Sequence, residues 1–174
     1  MSALTKPVTE HDHIEGSADA PVTLVEYGDY ECPHCGAAHP VVQELLRRAG
    51  NRVRFVFRNF PLAEIHPHAQ LAAEAAEAAG AQGQFWKMHD TLLTHQNALG
   101  SVHLKQYAGH LGIDVDQFTE ALTAHSFQHR VREDFMSGVR SGVNGTPSFF
   151  INGARYDGPA VLEMMLSAIE EAAA

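Results

Sequence analysis

Cys32 and Cys35 are the only cysteines in a chain of 174 residues. They stand three positions apart in the run Tyr30-Glu31-Cys32-Pro33-His34-Cys35-Gly36. Scaffold disulfides need several cysteines spread over a sequence, so this pair builds no framework. Two chemistries fit the spacing: a dithiol that cycles with its disulfide, or half of a metal site. A strand-like run before the pair and a helix-like run after it favour the first.

The neighbouring residues say how such a pair would be tuned. Cys32 falls where a strand ends and a helix begins, and Pro33 suits a first helical turn, where its missing N–H is an orphan anyway. Unpaired amides and the helix macrodipole favour negative charge on the Cys32 sulfur. A protonated His34 would add a second stabilising charge. Such surroundings bring a C-x-x-C thiol to a pKa of roughly 3.5–7.5. Cys32, at the helix tip, is expected to be the nucleophile, and Cys35, one turn inside, the resolving thiol. Asp29 and Glu31 oppose this, because nearby carboxylates disfavour a thiolate.

Hydrophobic patterns locate the elements that must hold the pair. Residues 1–20 are polar and without period, and are expected to form a flexible leader. Val22-Thr23-Leu24-Val25-Glu26-Tyr27 reads as a short buried strand. Ala37, Ala38, Val41, Val42, Leu45 and Leu46 recur at helical spacing until Gly50 stops them. Val53, Phe55 and Phe57 alternate with Arg54 and Arg58 in a second strand, broken at Pro61.

Only helices are expected from about His66 to Val143. Leu71 to Ala79 is alanine-rich and helix-forming; Phe85, Met88, Leu92 and Leu93 mark the next helix, with Phe85 and Trp86 read as core. Leu104, Tyr107, Ala108 and Leu111 mark a third. Asp114 with Gln117 resembles a capping box opening a fourth, and Phe127, Val131, Phe135 and Val139 line a fifth. Two strands, Ser148–Ile151 and Ala154–Tyr156, then flank an Asn152-Gly153 hairpin turn. Gly158-Pro159 opens a last helix, with proline in its first turn. The order β-α-β, helices, β-β-α describes one α/β domain with a helical insertion.

Val25-Glu26-Tyr27 with Cys-Pro-His-Cys, followed by Gly145-Thr146-Pro147-Ser148-Phe149 after an intervening helical block, resembles the DsbA-like thiol–disulfide oxidoreductases of the thioredoxin superfamily. The resemblance runs from about Asp19 to the C-terminus. It implies a thioredoxin fold over about 21–62 and 143–174, interrupted by a helical insertion over about 63–142. It implies that Pro147 is cis beside Cys32 and Cys35, and that Thr146 offers its backbone to an extended substrate strand. The family places a buried acid six residues before the first cysteine, which here is Glu26, a candidate acceptor for the Cys35 proton. The implied substrates are cysteine-containing proteins or peptides, with an unidentified recycling redox partner. No organic cofactor is expected, since the dithiol is itself a two-electron carrier. Asp29-Tyr30-Glu31 departs from the apolar lead-in of the strongest oxidants and fits a soluble branch with an acidic one.

The net charge of −9 argues against non-specific binding of nucleic acid or anionic membranes. No stretch approaches the roughly 18 apolar residues of a membrane span. The N-terminal segment has one lysine, several acids and no apolar h-region, so it resembles neither a secretory signal nor a transit peptide. A cytoplasmic location follows, or a periplasmic one where a signal has been removed. Twelve histidines are the unusual entry in the composition. His11-Asp12-His13 and His66-Pro67-His68 place imidazoles two apart, but no Cys/His quartet has finger-like spacing, and no metal is expected. A thiol-based metal carrier and a binding module with a minor redox role are the competing classes.

Overall fold

The near-continuous apolar run Val22–Gly28 becomes the central strand of a five-stranded sheet, buried on both faces as such a run requires. The computed structural model describes residues 3–174. The strands are β1 (His13–Gly16), β2 (Val22–Gly28), β3 (Val53–Asn59), β4 (Ser148–Ile151) and β5 (Ala154–Tyr156). Their order is β1-β3-β2-β4-β5. β2 runs parallel to β3 and antiparallel to β4, while β1 and β5 close the two edges antiparallel. Helix α1 (Pro33–Ala49) joins β2 to β3. Helices α2 (Ala69–Gly80), α3 (Phe85–Thr94), α4 (Ser101–His110), α5 (Val115–Thr123) and α6 (Gln128–Arg140) follow, and α7 (Leu162–Ala173) ends the chain.

Alternation along β2 and β3 sends side chains to two cores. Leu24, Phe55 and Phe57 join Val42 and Leu45 of α1, Met165 and Ile169 of α7, and the apolar faces of α2 to α5. Val25, Tyr27, Val56 and Phe150 face the opposite way, against Phe135 of α6 and Leu4, Val8 and Ile14 near the N-terminus. α2 is buried nearly all round, its alanines allowing close approach; its two buried glutamates are paired, Glu74 with His125 and Glu77 with His13.

Three sequence expectations need correction. The segment read as a flexible leader contains β1 and lies against the second core. Its anchor is Arg58, read as the polar half of an alternating strand but in fact 0% exposed. All five donors of that guanidinium are used: Asp12 takes two, Tyr27 Oη one, and the carbonyls of Lys6 and Pro7 the rest. The last helix starts at Leu162 rather than at Gly158-Pro159, because Val161 is still extended (φ −114°, ψ 128°). At α5, Asp114 caps as expected by accepting from the Gln117 N–H at 3.0 Å. The reciprocal bond comes from elsewhere, Gln82 Oε1 accepting from the Asp114 N–H at 2.9 Å.

Candidate active site

The strand β2 and the first turn of α1 present the two cysteines together. Cys32 is the extended N-cap residue of α1 (φ −71°, ψ 122°), and Pro33 occupies the first turn. Both thiols are free, and both are buried: Cys32 is 4% exposed and Cys35 0%. Exposure therefore separates them little; protonation separates them strongly. A hydrogen bond from the Cys35 thiol is the largest influence bringing Cys32 down to a pKa of about 5. Burial opposes this, and the Thr146 side chain and the backbone amides of Cys35 and His34 assist. Cys35 moves the other way: it holds the shared proton, is buried, and feels the Glu26 carboxyl, against which the Asp29 N–H at 3.4 Å is a minor counterweight.

His34 was expected to tune Cys32 through its imidazole. Its side chain is exposed, and what it contributes to the sulfur is its main-chain N–H. That N–H is the helix N-terminus's share of the tuning, smaller than that of the Cys35 thiol, and any residue but proline would supply it.

The Thr146–Pro147 peptide is cis. The Thr146 carbonyl accepts from Cys32 Sγ at 3.4 Å. The Thr146 hydroxyl is buried with no other partner, free to turn toward a thiolate. A groove of about 430 Å³ runs beside these residues, lined by His34, Ala37, Thr146, Pro147, Tyr156 and Asp157 among others. Glu26, the candidate buried acid of the resemblance, is 3% exposed. Burial, then the negative charge on Cys32, raises its pKa to about 8.

Two features of the site were not foreseen. Asp29 and Glu31 do not stand as bare charges. Asp29 accepts from the N–H groups of Glu31 (2.8 Å) and Leu62 (2.9 Å) and bonds His66 Nδ1 at 2.7 Å. Glu31 bonds His68 Nδ1 at 2.8 Å and accepts from the His68 N–H. The His-Pro-His motif that suggested a metal is committed to these carboxylates. Burial pushes the His66 pKa down, but its bond to Asp29 and the charges of Asp29 and Cys32 outweigh that and raise it. The second feature is Gln96, between α3 and α4, whose Nε2 donates to the carbonyls of Tyr30 (3.0 Å) and Cys32 (2.7 Å). Gly36 makes room for it, since a Cβ there would run into the Gln96 side chain.

The structure thus brings together a low-pKa thiol at a helix tip, a second thiol one turn inside and the Thr146–Pro147 loop against the first. The family model described as thioredoxin matches residues 8–171. The chain belongs to that family. Its fold is the DsbA-like one. BdbD from Bacillus subtilis superposes with a TM-score of 0.87 at 24% identity, covering 99% of this chain and 98% of that one. A thioredoxin-like oxidoreductase from Silicibacter pomeroyi DSS-3 gives 0.84 at 28% identity, covering 94% and 93%. Among curated proteins, the Na(+)/H(+) antiporter NhaA 1 of Salinispora arenicola is 49% identical over 163 residues, 94% of this chain. The chain spans about a quarter of that relative's length, 25%. Among the described residues of this family member, no helix is long and apolar enough to cross a membrane.

Proposed function

We propose that the chain is a thiol–disulfide oxidoreductase acting on cysteine-containing proteins or peptides, with Cys32 as the exchanging sulfur and Cys35 as the resolving one. The observation that carries this reading is the placement of two free thiols in the first turn of α1, with the Thr146 carbonyl 3.4 Å from Cys32 Sγ; the opposite shifts of the two sulfurs, Cys32 down and Cys35 up, agree with it. The oxidoreductase at 28% identity with the same fold supports it. Antiport belongs to proteins about four times as long, and the match gives no ground for assigning it to this chain.

In the oxidising direction a substrate thiolate attacks Cys32 Sγ of the Cys32–Cys35 disulfide. The S–S bond breaks, its electron pair leaves on Cys35, and Cys35 takes up a proton. A second substrate thiolate then attacks the substrate sulfur of the mixed disulfide, forming the substrate disulfide and expelling Cys32 as a thiolate. The substrate loses two electrons and the pair gains them, so no organic cofactor is needed. Glu26, a carboxylic acid for much of the range below about pH 8, gives its proton to Cys35 in this direction and accepts it in reverse. Thr146 and Pro147 offer the groove's backbone edge to an extended substrate segment.

An acidic Cys32 leaves readily and stabilises the reduced state, so the pair donates its disulfide. A recycling partner must restore that disulfide. In a cytosol poised by glutathione the pair would sit mostly reduced, which fits an extracytoplasmic setting better than the cytoplasmic one expected from the N-terminal sequence. The test is redox titration against glutathione, with the Cys32 pKa read from thiolate absorbance. A potential well above thioredoxin's value of about −270 mV is expected. A thioredoxin-like potential with a near-neutral Cys32 would overturn the oxidant reading.

A further inference from the structure

A second cluster of chemistry-bearing side chains lies behind the active-site helix. His39 of α1 and His89 and Asp90 of α3 bring one ligand atom each to within 4.8 Å of one another. They line a cavity of about 270 Å³ that Glu15 of β1 also borders. His39 is 5% exposed, and its Nε2 has no hydrogen-bond partner. It stands 3.4 Å from Asp90 Oδ1.

That distance is informative beside the other histidine–carboxylate pairs of the molecule. His13–Glu77, His66–Asp29, His68–Glu31 and His125–Glu74, each with a partly or wholly buried carboxylate, close to 2.7–3.0 Å, and only His129–Glu133, exposed on the surface of α6, is as loose at 3.7 Å. The His39–Asp90 contact is longer than the closed pairs and makes no hydrogen bond. A tetrahedral zinc-class ion with ligand bonds of about 2.0–2.1 Å separates neighbouring ligand atoms by about 3.4 Å. His89 Nδ1 is engaged by the Tyr30 hydroxyl at 3.0 Å, which leaves Nε2 as its free nitrogen. A partner on the far ring nitrogen is what a ligating imidazole requires to fix its tautomer. The ring itself is wedged against Phe57 (4.5 Å) and Trp86 (5.2 Å).

We propose that this cavity is a site for a divalent transition ion of the zinc class, with His39, His89 and Asp90 as ligands and Glu15 or solvent in the fourth position. The donor set suits the ion, two imidazoles and two carboxylates, with Gln43 and Arg47 also lining the cavity. An ion here would tie α1, which carries Cys32 and Cys35, to α3 and to the edge strand β1. It would also hold His89 against Tyr30, two residues before Cys32.

The redox pair must be kept out of the test, because thiolates bind zinc themselves. The full chain, oxidised to its Cys32–Cys35 disulfide and freed of metal with a chelator, is titrated with Co²⁺ and then Zn²⁺. One equivalent should bind with the visible absorption of four-coordinate cobalt, and zinc should displace it. Asp90→Ala and His39→Gln, with folding checked by circular dichroism, should each weaken binding at least tenfold, whereas His129→Ala on the surface should leave it unchanged. Asp90 is half-exposed, so its variant carries the test should His39→Gln not fold. No binding at micromolar metal, or undiminished binding in Asp90→Ala, would overturn the proposal.

Discussion

At the scale of single residues, two buried groups beside one another carry opposite protonation shifts. Cys32 falls from 9.0 to about 5 on folding of the reduced chain. Its contribution to stability is complete above the unfolded value and is lost as the pH falls through the folded one. Glu26 rises from 4.5 to about 8, so its contribution is complete below 4.5 and is lost as the pH rises through 8. Between those limits the trends oppose in the reduced protein, while the disulfide form keeps only that of Glu26. Urea unfolding of both forms should therefore show the oxidised protein losing stability with rising pH and the reduced one holding level. The gap should reach the order of a few kcal/mol, and Glu26→Gln should abolish the decline in the oxidised form. A gap that does not change with pH would contradict these assignments. Cys32 and Cys35 were legible as a candidate redox pair in residue type and spacing, and Pro147 only through the resemblance. The main-chain amides that lower Cys32 were expected from the strand-to-helix junction; the larger share of the Cys35 thiol and the help of Thr146 were not, because they depend on how side chains meet across the site.

At the scale of elements, the first turn of α1 is held from outside by the helical block. Gln96 lies 64 positions beyond Cys32 in sequence, in a short loop without a pattern of its own, and nothing local marks it as part of the site. Its amide spans the carbonyls of Tyr30 and Cys32, on either side of Glu31. Gln96→Ala should cost about 1–2 kcal/mol, the usual loss for buried carbonyls left short of a donor. It should also slow exchange with a model peptide disulfide, since the thiol's main-chain frame loosens. Gln96→Glu, which fills the space but cannot donate when ionised, should do no better than alanine; full rescue by glutamate would show that Gln96 acts by packing. The carboxylate–histidine pairs were half legible. Asp29-x-Glu31 and His66-x-His68 share one interval, 37 residues in both pairs, but only the turn of β3 into α2 reveals that the intervals meet. Each carboxylate of the acidic lead-in thus has an imidazole as hydrogen-bond partner.

At the scale of the whole molecule, β2, β3 and the order of helices followed from hydrophobic periodicity, while the N-terminal segment did not. Residues 3–16 have no apolar period of their own, and what anchors them is one arginine on a central strand, 46 positions after its acid partner. Arg58 closes its ion pair with Asp12 where both side chains are almost wholly buried, 0% and 2% exposed. Burial would raise the Asp12 pKa, but the bonds and charge of Arg58 outweigh it, and the carboxyl is held below its ordinary value. Removing Asp12 leaves a guanidinium with no counter-charge in the second core, a loss of about 3–5 kcal/mol for a buried pair broken on one side. Asp12→Ala should therefore destabilise the chain by that order and make the segment before β1 susceptible to limited proteolysis while the redox pair still titrates. Asp12→Asn keeps an acceptor for one N–H and should cost less. The wild type should lose this contribution only as the pH falls below 3.8, the ordinary value of the carboxyl, and the alanine variant should lack that acid-side loss. If Asp12→Ala unfolds at the same urea concentration as the wild type, Arg58 is held by the carbonyls of Lys6 and Pro7 and the Tyr27 hydroxyl alone, and the segment belongs to the fold through its backbone rather than its charge.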